Sequence, residues 1–230
     1  WVLNGRKIWT TYAQDCDFMI GLFRTGHDES TARQKGLSQF VIDLQSSGLE
    51  IRPIRDLTGE AHFNEIVFDD VVVPDDALVG RENEGWAQVN AELAFERSGP
   101  DRYLSSFPLL PPAVDALAGS EGDRLSARRI GEAFAELTVL REMSLSILDQ
   151  LDRGGTPLQE AAVTKLLGTS LEQSLPDLVR ELLDCPATRV TGEPLSDMQA
   201  YLMQTVPAFS LRGGTNEIMR GIIARGLGLR

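Results

Sequence analysis

Cysteine is nearly missing from this 230-residue chain: Cys16 and Cys185 are the two present. Two thiols cannot build a disulfide framework, so a reducing cytoplasm is the expected compartment. Histidine is as scarce, and neither His27 nor His62 sits at metal-ligand spacing from Cys, Asp or Glu, so no metal is expected. An excess of positive charge is lacking too. Lys and Arg total 22 against 34 Asp and Glu, a net charge of -12, which excludes nucleic acid as the main partner because phosphate binding needs a basic surface. No apolar run approaches the roughly 20 residues needed to cross a bilayer, so no membrane association is expected. The GxSxG, P-loop and GxGxxG motifs of hydrolases, NTPases and dinucleotide binders are absent. The chain also lacks an initiator Met: "WVLNGRKIWTTYAQ" begins in mid-pattern with no leader, and a C-terminal portion of something longer is the expectation.

What is there has ordinary globular proportions, 42% hydrophobic and 24% charged, and enough length to bury a sizeable core. The pattern changes period along the chain. "WVLNGRKIWTT", "DFMIGLFRT", "GLSQFVIDL", "GLEIRPI" and "HFNEIVFDDVVVP" are short β-branched and aromatic runs, separated by the turn signals "TGHDES", "SSG" and "LTGE". No helical segment intervenes, which predicts an antiparallel sandwich or barrel over residues 1–82 rather than βαβ units. Residues 83–230 turn helical and predict an all-α bundle of four or five helices. These begin with "GWAQVNAELAFERSG". "PLLPPAVDALAGSEG" reads as an irregular connection, and the helix ending "LDRG" stops at Gly154-Gly155. Thr156 is the expected N-cap of the next helix, with Pro157 at its first position. The class is thus α+β and multidomain, a β-domain followed by a helical bundle.

Three places invite a chemical reading. Trp86, Val89, Leu93 and Glu96 fall at spacings of 3, 4 and 3, one helix face. Burial on that stripe disfavours the charged form of Glu96 unless a cation compensates, and a buried carboxylate suits a proton-abstracting base. Pro100 has no N–H for the Glu96 carbonyl, so a kink is expected there. The plainer alternative is a carboxylate at the edge of the stripe, paired with Arg97 or Arg102. Trp9-Thr10-Thr11 offers an aromatic wall beside two hydroxyls, or ordinary strand composition. Gly213-Gly214-Thr215 opens a helix whose free N–H groups suit an anionic or carbonyl-rich ligand, or is a plain break with a Thr cap. Glu217 follows Thr215 by two residues, one short of the capping-box position.

Taken in order, "WVLNGRKIWTTYAQDCDFMI", "FNEIVFDDVVVPDDALVGRENEGW" and "GGTNEIMRGIIAR" resemble the strand, domain junction and closing signature of the acyl-CoA dehydrogenase family. The resemblance spans the chain and implies an N-terminal helical domain outside it. It implies FAD as cofactor and α,β-dehydrogenation of an acyl-CoA thioester in fatty acid or steroid side-chain β-oxidation. A carboxylate takes the α-proton while the β-hydrogen passes as hydride to flavin N5. Electron-transfer flavoprotein is the implied acceptor. In the commonest form of the family the base is a Glu directly before the Gly-Thr of the closing signature. Gly213 stands there in this chain. A minority form carries the base in a Glu-Arg pair on the helix after the β-domain, which matches Glu96-Arg97. The resemblance therefore implies Glu96 as catalytic base and Arg97 as substrate-side support, with Gly213 leaving room opposite. Trp9, Thr10, Thr11, Gly214, Thr215 and Glu217 match flavin-side positions.

The departures carry information as well. The family's Arg-x-x-Phe-Gly segment, which holds a neighbouring subunit's FAD, has no counterpart in "LLPPAVDALAGSEGDRLSARRIGEAF", and its Gly-Gly-x-Gly turn is replaced by "CPATRVTGEPLSD". Such losses resemble the heteromeric branch found in bacterial steroid side-chain breakdown. They imply a base-carrying subunit working with a paralogous partner as a heterotetramer, rather than a simple homo-oligomer. A catalytically silent scaffold and an acyl-CoA oxidase are the competing readings.

Overall fold

The computed structural model describes residues 1–26, 34–118, 124–184 and 191–229. His27, most of the "TGHDES" turn, part of the connection after Leu117 and the whole of the "CPATRV" stretch, Cys185 included, lie outside the described residues. The chain divides into two compact units, Trp1–Ala91 and Glu92–Arg230.

The first unit holds two antiparallel three-stranded sheets. One has the order β1(Val2–Thr11)-β5(Phe63–Val72)-β4(Leu49–Ile54), the other β2(Phe18–Arg24)-β3(Leu37–Asp43)-β6(Leu78–Val79). All five apolar runs of the sequence form strands. β6, two residues long, is too short to show alternation. Asn64, Ile66 and Phe68 alternate inward along β5, and Phe40 and Ile42 do so along β3. The two sheets share one core, in which the Phe23 ring stands edge-on to Phe68 at 5.1 Å and to Phe40 at 6.2 Å.

The second unit is helical. α1(Gly85–Ser98) runs into it and is followed by α2(Leu110–Leu117), α3(Arg124–Asp152), α4(Leu158–Leu183), α5(Pro194–Phe209) and α6(Asn216–Gly226). α4 packs against α2, α3, α5 and α6. Leu171, Leu175 and Val179 of α4 meet Leu109, Leu110, Ile130, Leu137, Leu202 and Val206 in one core. Pro176 lies inside α4 without ending it, and its carbonyl accepts a bond from Gln199 Nε2 at 2.5 Å. Among the described residues no helix is long and apolar enough to cross a membrane, and no group of His, Cys, Asp or Glu could hold a metal ion.

Three expectations need correction. The proline-rich connection contains a helix, α2, which makes six helices among the described residues rather than four or five. Pro111 and Pro112 fall in its first turn, where a missing N–H costs no intrahelical bond. α4 begins at Leu158 with Pro157 as its cap and no side-chain cap bond, so Thr156 is not the N-cap. The third concerns α1. Trp86 is 42% exposed and the Glu96 side chain 44% exposed, whereas Ala94, Arg97 and Ser98 are buried. The spacing identified a common face, but neighbouring elements decide which face is covered, and the last turn of α1 packs through Ser98, whose carbonyl accepts from Ser144 Oγ of α3 at 2.6 Å. Gly154 and Gly155 do end α3. Gly154 takes φ 77°, and Gly155 N–H closes back on the Gln150 carbonyl at 2.8 Å.

Candidate active site

The helical unit gathers its chemistry where α1 stops. Pro100 cannot return an N–H to the Glu96 carbonyl, so the helix gives way to a single 3-10 turn over Pro100–Arg102. The carbonyl left over accepts from Arg102 Nε at 3.1 Å, while Arg102 Nη2 reaches Glu96 Oε1 at 2.6 Å. Arg102 Nη1 also lies 3.3 Å from Asp101 Oδ2. A cation thus compensates Glu96, as the plainer sequence reading has it, and the partner is Arg102. The Arg102 side chain is 8% exposed, so this pair is screened by solvent on the carboxylate side only.

The segment Ser210–Thr215 faces the same carboxylate. Gly213 takes φ 63°, in the left-handed region that favours glycine. A Cβ built on Gly213 would stand 3.6 Å from Glu96 Oε1, 3.5 Å from Arg97 Cγ and 3.7 Å from Arg102 Nε. Buried Arg97 donates from Nε to the Gly213 carbonyl at 2.8 Å, which ties the Glu-Arg pair to the glycine turn across 116 positions of sequence. Burial lowers the Arg97 pKa, and the charge of Glu96 partly offsets this. Gly214, at φ 103°, holds a conformation that disfavours a side chain, and a Cβ there would lie 2.9 Å from Met219 Cε, which would have to shift. Thr215 is the N-cap of α6, its side chain accepting from Ile218 N–H at 3.4 Å. Glu217 sits in the first turn beside it. Its pKa is lowered by the bond to its own amide and then by Thr215, which also places a negative charge at the positive end of the helix.

Under this turn lies a buried polar cluster that the sequence reading missed. Lys165 is fully buried and donates from Nζ to the Ser210 carbonyl at 2.9 Å, with Asn216 Oδ1 at 3.4 Å. One ammonium therefore holds both ends of the glycine turn. Burial, and then the charges of Arg102, Arg212 and Arg97, lower its pKa from 10.5 to about 8. Glu172, also fully buried, accepts from Arg212 Nη2 at 2.8 Å and from Ser105 N–H at 2.8 Å. Burial raises its pKa against the pull of Arg212. Arg212 stacks over the Phe209 ring at 3.8 Å and has its own pKa lowered by burial. A usable signal existed: Ala161, Lys165, Gly168, Glu172, Leu175 and Val179 recur at helical spacing, so two charges stand on an otherwise small or apolar stripe.

The structure brings Glu96, Arg97, Gly213 and Gly214 together, with Thr215 and Glu217 adjoining. Trp9, Thr10 and Thr11 belong to the first unit. There β1 slips register against β5 between Lys7 and Thr10, and Trp9 takes φ 66° at the bulge. A left-handed tryptophan is strained, and this one leaves its indole 61% exposed, in edge contact with Phe63 at 6.0 Å. An exposed aromatic face beside two hydroxyls fits a planar ring such as isoalloxazine.

Comparisons with known proteins address the family rather than individual residues. Residues 1–71 match the acyl-CoA dehydrogenase middle domain and residues 122–228 its C-terminal domain. Acyl-CoA dehydrogenase IpdE1 of Mycobacterium tuberculosis is 31% identical over 238 residues, covering 100% of this chain and 60% of that protein. Acyl-CoA dehydrogenase FadE34 of the same organism is 29% identical over 227 residues, 99% of this chain and 31% of that protein. Among solved structures, the Tcur3481-Tcur3483 steroid ACAD superposes with a TM-score of 0.82 at 22% identity, over 100% of this chain and 61% of that one. The FAD complex of PigA does so at 0.83 and 23%, again over 100% and 61%. This chain therefore spans 60–61% of the length of three of these proteins and 31% of FadE34. The two family models match the β unit and the helical unit in that order, and the chain belongs to the acyl-CoA dehydrogenase family.

Proposed function

We propose that the protein catalyses FAD-dependent α,β-dehydrogenation of an acyl-CoA thioester, with Glu96 taking the α-proton. The observation that carries this reading is the 3.6 Å separation between Glu96 Oε1 and the Cβ position of Gly213. The two positions at which the family keeps its base address one point in space, and only position 96 holds a carboxylate. Arg102 occupies Oε1, which leaves Oε2 to receive the proton. Arg97 fixes the turn opposite through the Gly213 carbonyl. FAD, when bound, supplies the acceptor for the β-hydride, and Trp9, Thr10, Thr11, Gly214, Thr215 and Glu217 are the residues proposed to hold it, with electron-transfer flavoprotein receiving the electrons. The missing Arg-x-x-Phe-Gly segment supports a base-carrying subunit that works with a paralogous partner on a steroid side-chain thioester.

Glu96→Gln in the flavin-loaded protein decides the central point. Turnover should fall by at least about 10³-fold, the upper part of the range for losing a general base, with flavin content unchanged. Retained acyl-CoA oxidation would sink the assignment. A second reading, a silent scaffold subunit, draws on the Glu96–Arg102 ion pair, which serves a structural carboxylate equally well. It requires the wild-type protein to be as inert as Glu96→Gln. One FAD per heterodimer on co-expression with the genomic neighbours supports the paired-subunit reading, and one FAD per chain bound by this protein alone refutes it.

A further inference from the structure

We infer that Arg102 is a positioning residue that sets the Glu96 carboxylate against the Gly213 gap, an inference that rests on Glu96 being the base. Three observations carry it. Glutamate has three side-chain torsions, and at 44% exposure packing alone does not hold this one. Arg102 grips it at two points, backbone carbonyl and carboxylate, which fixes both ends of the side chain at once. The first grip exists because Pro100 withholds the N–H that would otherwise take that carbonyl.

Arg102 is itself held from behind. A Cβ on Gly168 of α4 would lie 2.4 Å from the Arg102 carbonyl and 3.0 Å from Tyr103 Cβ, so only glycine lets α4 approach the 3-10 turn this closely. The guanidinium side chain is 8% exposed. Its surroundings are mixed in charge: Lys165 and Arg212 register its field as repulsion and the buried Glu172 as attraction. The carboxylates it reaches directly are the exposed Glu96 and Asp101, so this covered guanidinium is placed for what it grips.

The test uses the full-length, flavin-loaded protein with any subunit that co-purifies. The probe is whichever of a straight-chain, a branched and a ring-bearing acyl-CoA bleaches the flavin fastest. Arg102→Gln should slow bleaching per bound flavin by about 10- to 100-fold, the scale of a misplaced catalytic group. The α-deuterium isotope effect should rise, and the half-saturating substrate concentration should stay within about threefold. Methylguanidinium should restore bleaching to Arg102→Ala, a rescue that a merely structural role does not give. Arg102→Lys should be intermediate, since an ammonium reaches the carboxylate without spanning both acceptors, and it replaces Arg102→Gln if that variant fails to load flavin. Gly168→Ala should slow bleaching in the same way.

Wild-type bleaching in Arg102→Gln, alongside an inert Glu96→Gln, overturns the role of Arg102 and leaves the base assignment standing. Slow bleaching with an unchanged isotope effect and no guanidinium rescue overturns it too. Wild-type bleaching in Glu96→Gln removes the base assignment itself, a separate result.

Discussion

Moving the carboxylate from position 96 to position 213 tests whether the two positions serve one point. The double variant Glu96→Gln with Gly213→Glu removes the base from α1 and supplies one from the glycine turn. The first atom of the new side chain is tolerated, because a Cβ at 213 meets Arg97 Cγ, Glu96 Oε1 and Arg102 Nε at 3.5, 3.6 and 3.7 Å, all ordinary contacts. Backbone strain is the main cost. At φ 63° a non-glycine residue loses about 1–2 kcal/mol, which in a protein of this size lowers Tm by about 2–4 °C per kcal/mol. The bond from Arg97 Nε goes to the backbone carbonyl of residue 213 and survives the substitution. Scanning calorimetry should show that loss in Gly213→Ala and in the double variant alike. Stopped-flow flavin bleaching should then show the double variant at least about tenfold faster than Glu96→Gln alone, a fraction of what a positioned general base contributes. A double variant that loads flavin, melts in that range and bleaches no faster than Glu96→Gln refutes the shared-point reasoning.

Further outcomes follow from the same cluster. Lys165 has its pKa lowered by folding, so the unfolded chain binds more protons between about 8 and 10.5, and stability should rise with pH across that window. Urea titrations at several pH values should show this slope in the wild type and lose it in Lys165→Met. Glu172→Ala removes a buried carboxylate and leaves the Ser105 N–H and the partly exposed Arg212 without it, and should cost about 1–3 kcal/mol, whereas Glu172→Gln should cost less because it keeps an acceptor for Ser105 N–H and Arg212. Trp9→Ala should leave the melting temperature of the apoprotein nearly unchanged, since the residue is 61% exposed and alanine keeps the same left-handed backbone. It should weaken flavin retention on dilution, and undiminished retention counts against a flavin-side Trp9.

The strands were legible because short β-branched and aromatic runs are bounded by turn signals with no helical segment between them. α2 was hidden because prolines read as breakers unless their place in the first turn is known. α1 shows the limit of periodicity: spacing groups Trp86, Leu93 and Glu96 correctly but does not say whether protein or solvent covers them. At the site, Glu96, Arg97 and Gly213 were read from local motifs, and their convergence is tertiary. The cluster of Lys165, Glu172 and Arg212 went unread because charged residues on a helix stripe look like a solvated edge until α4 is seen to be covered by α2, α3, α5 and α6.

The proline after α1 has a consequence for descent as well as for geometry. Pro100 creates an orphan acceptor and Arg102 consumes it, so neither residue keeps its purpose without the other. A relative that regains an amide at position 100 can extend the helix by another bond, and its residue 102 is then released to drift. The two positions should therefore be exchanged as a pair along any lineage that moves its base away from α1. A tree of full-length relatives can read that coupling without purifying any of them.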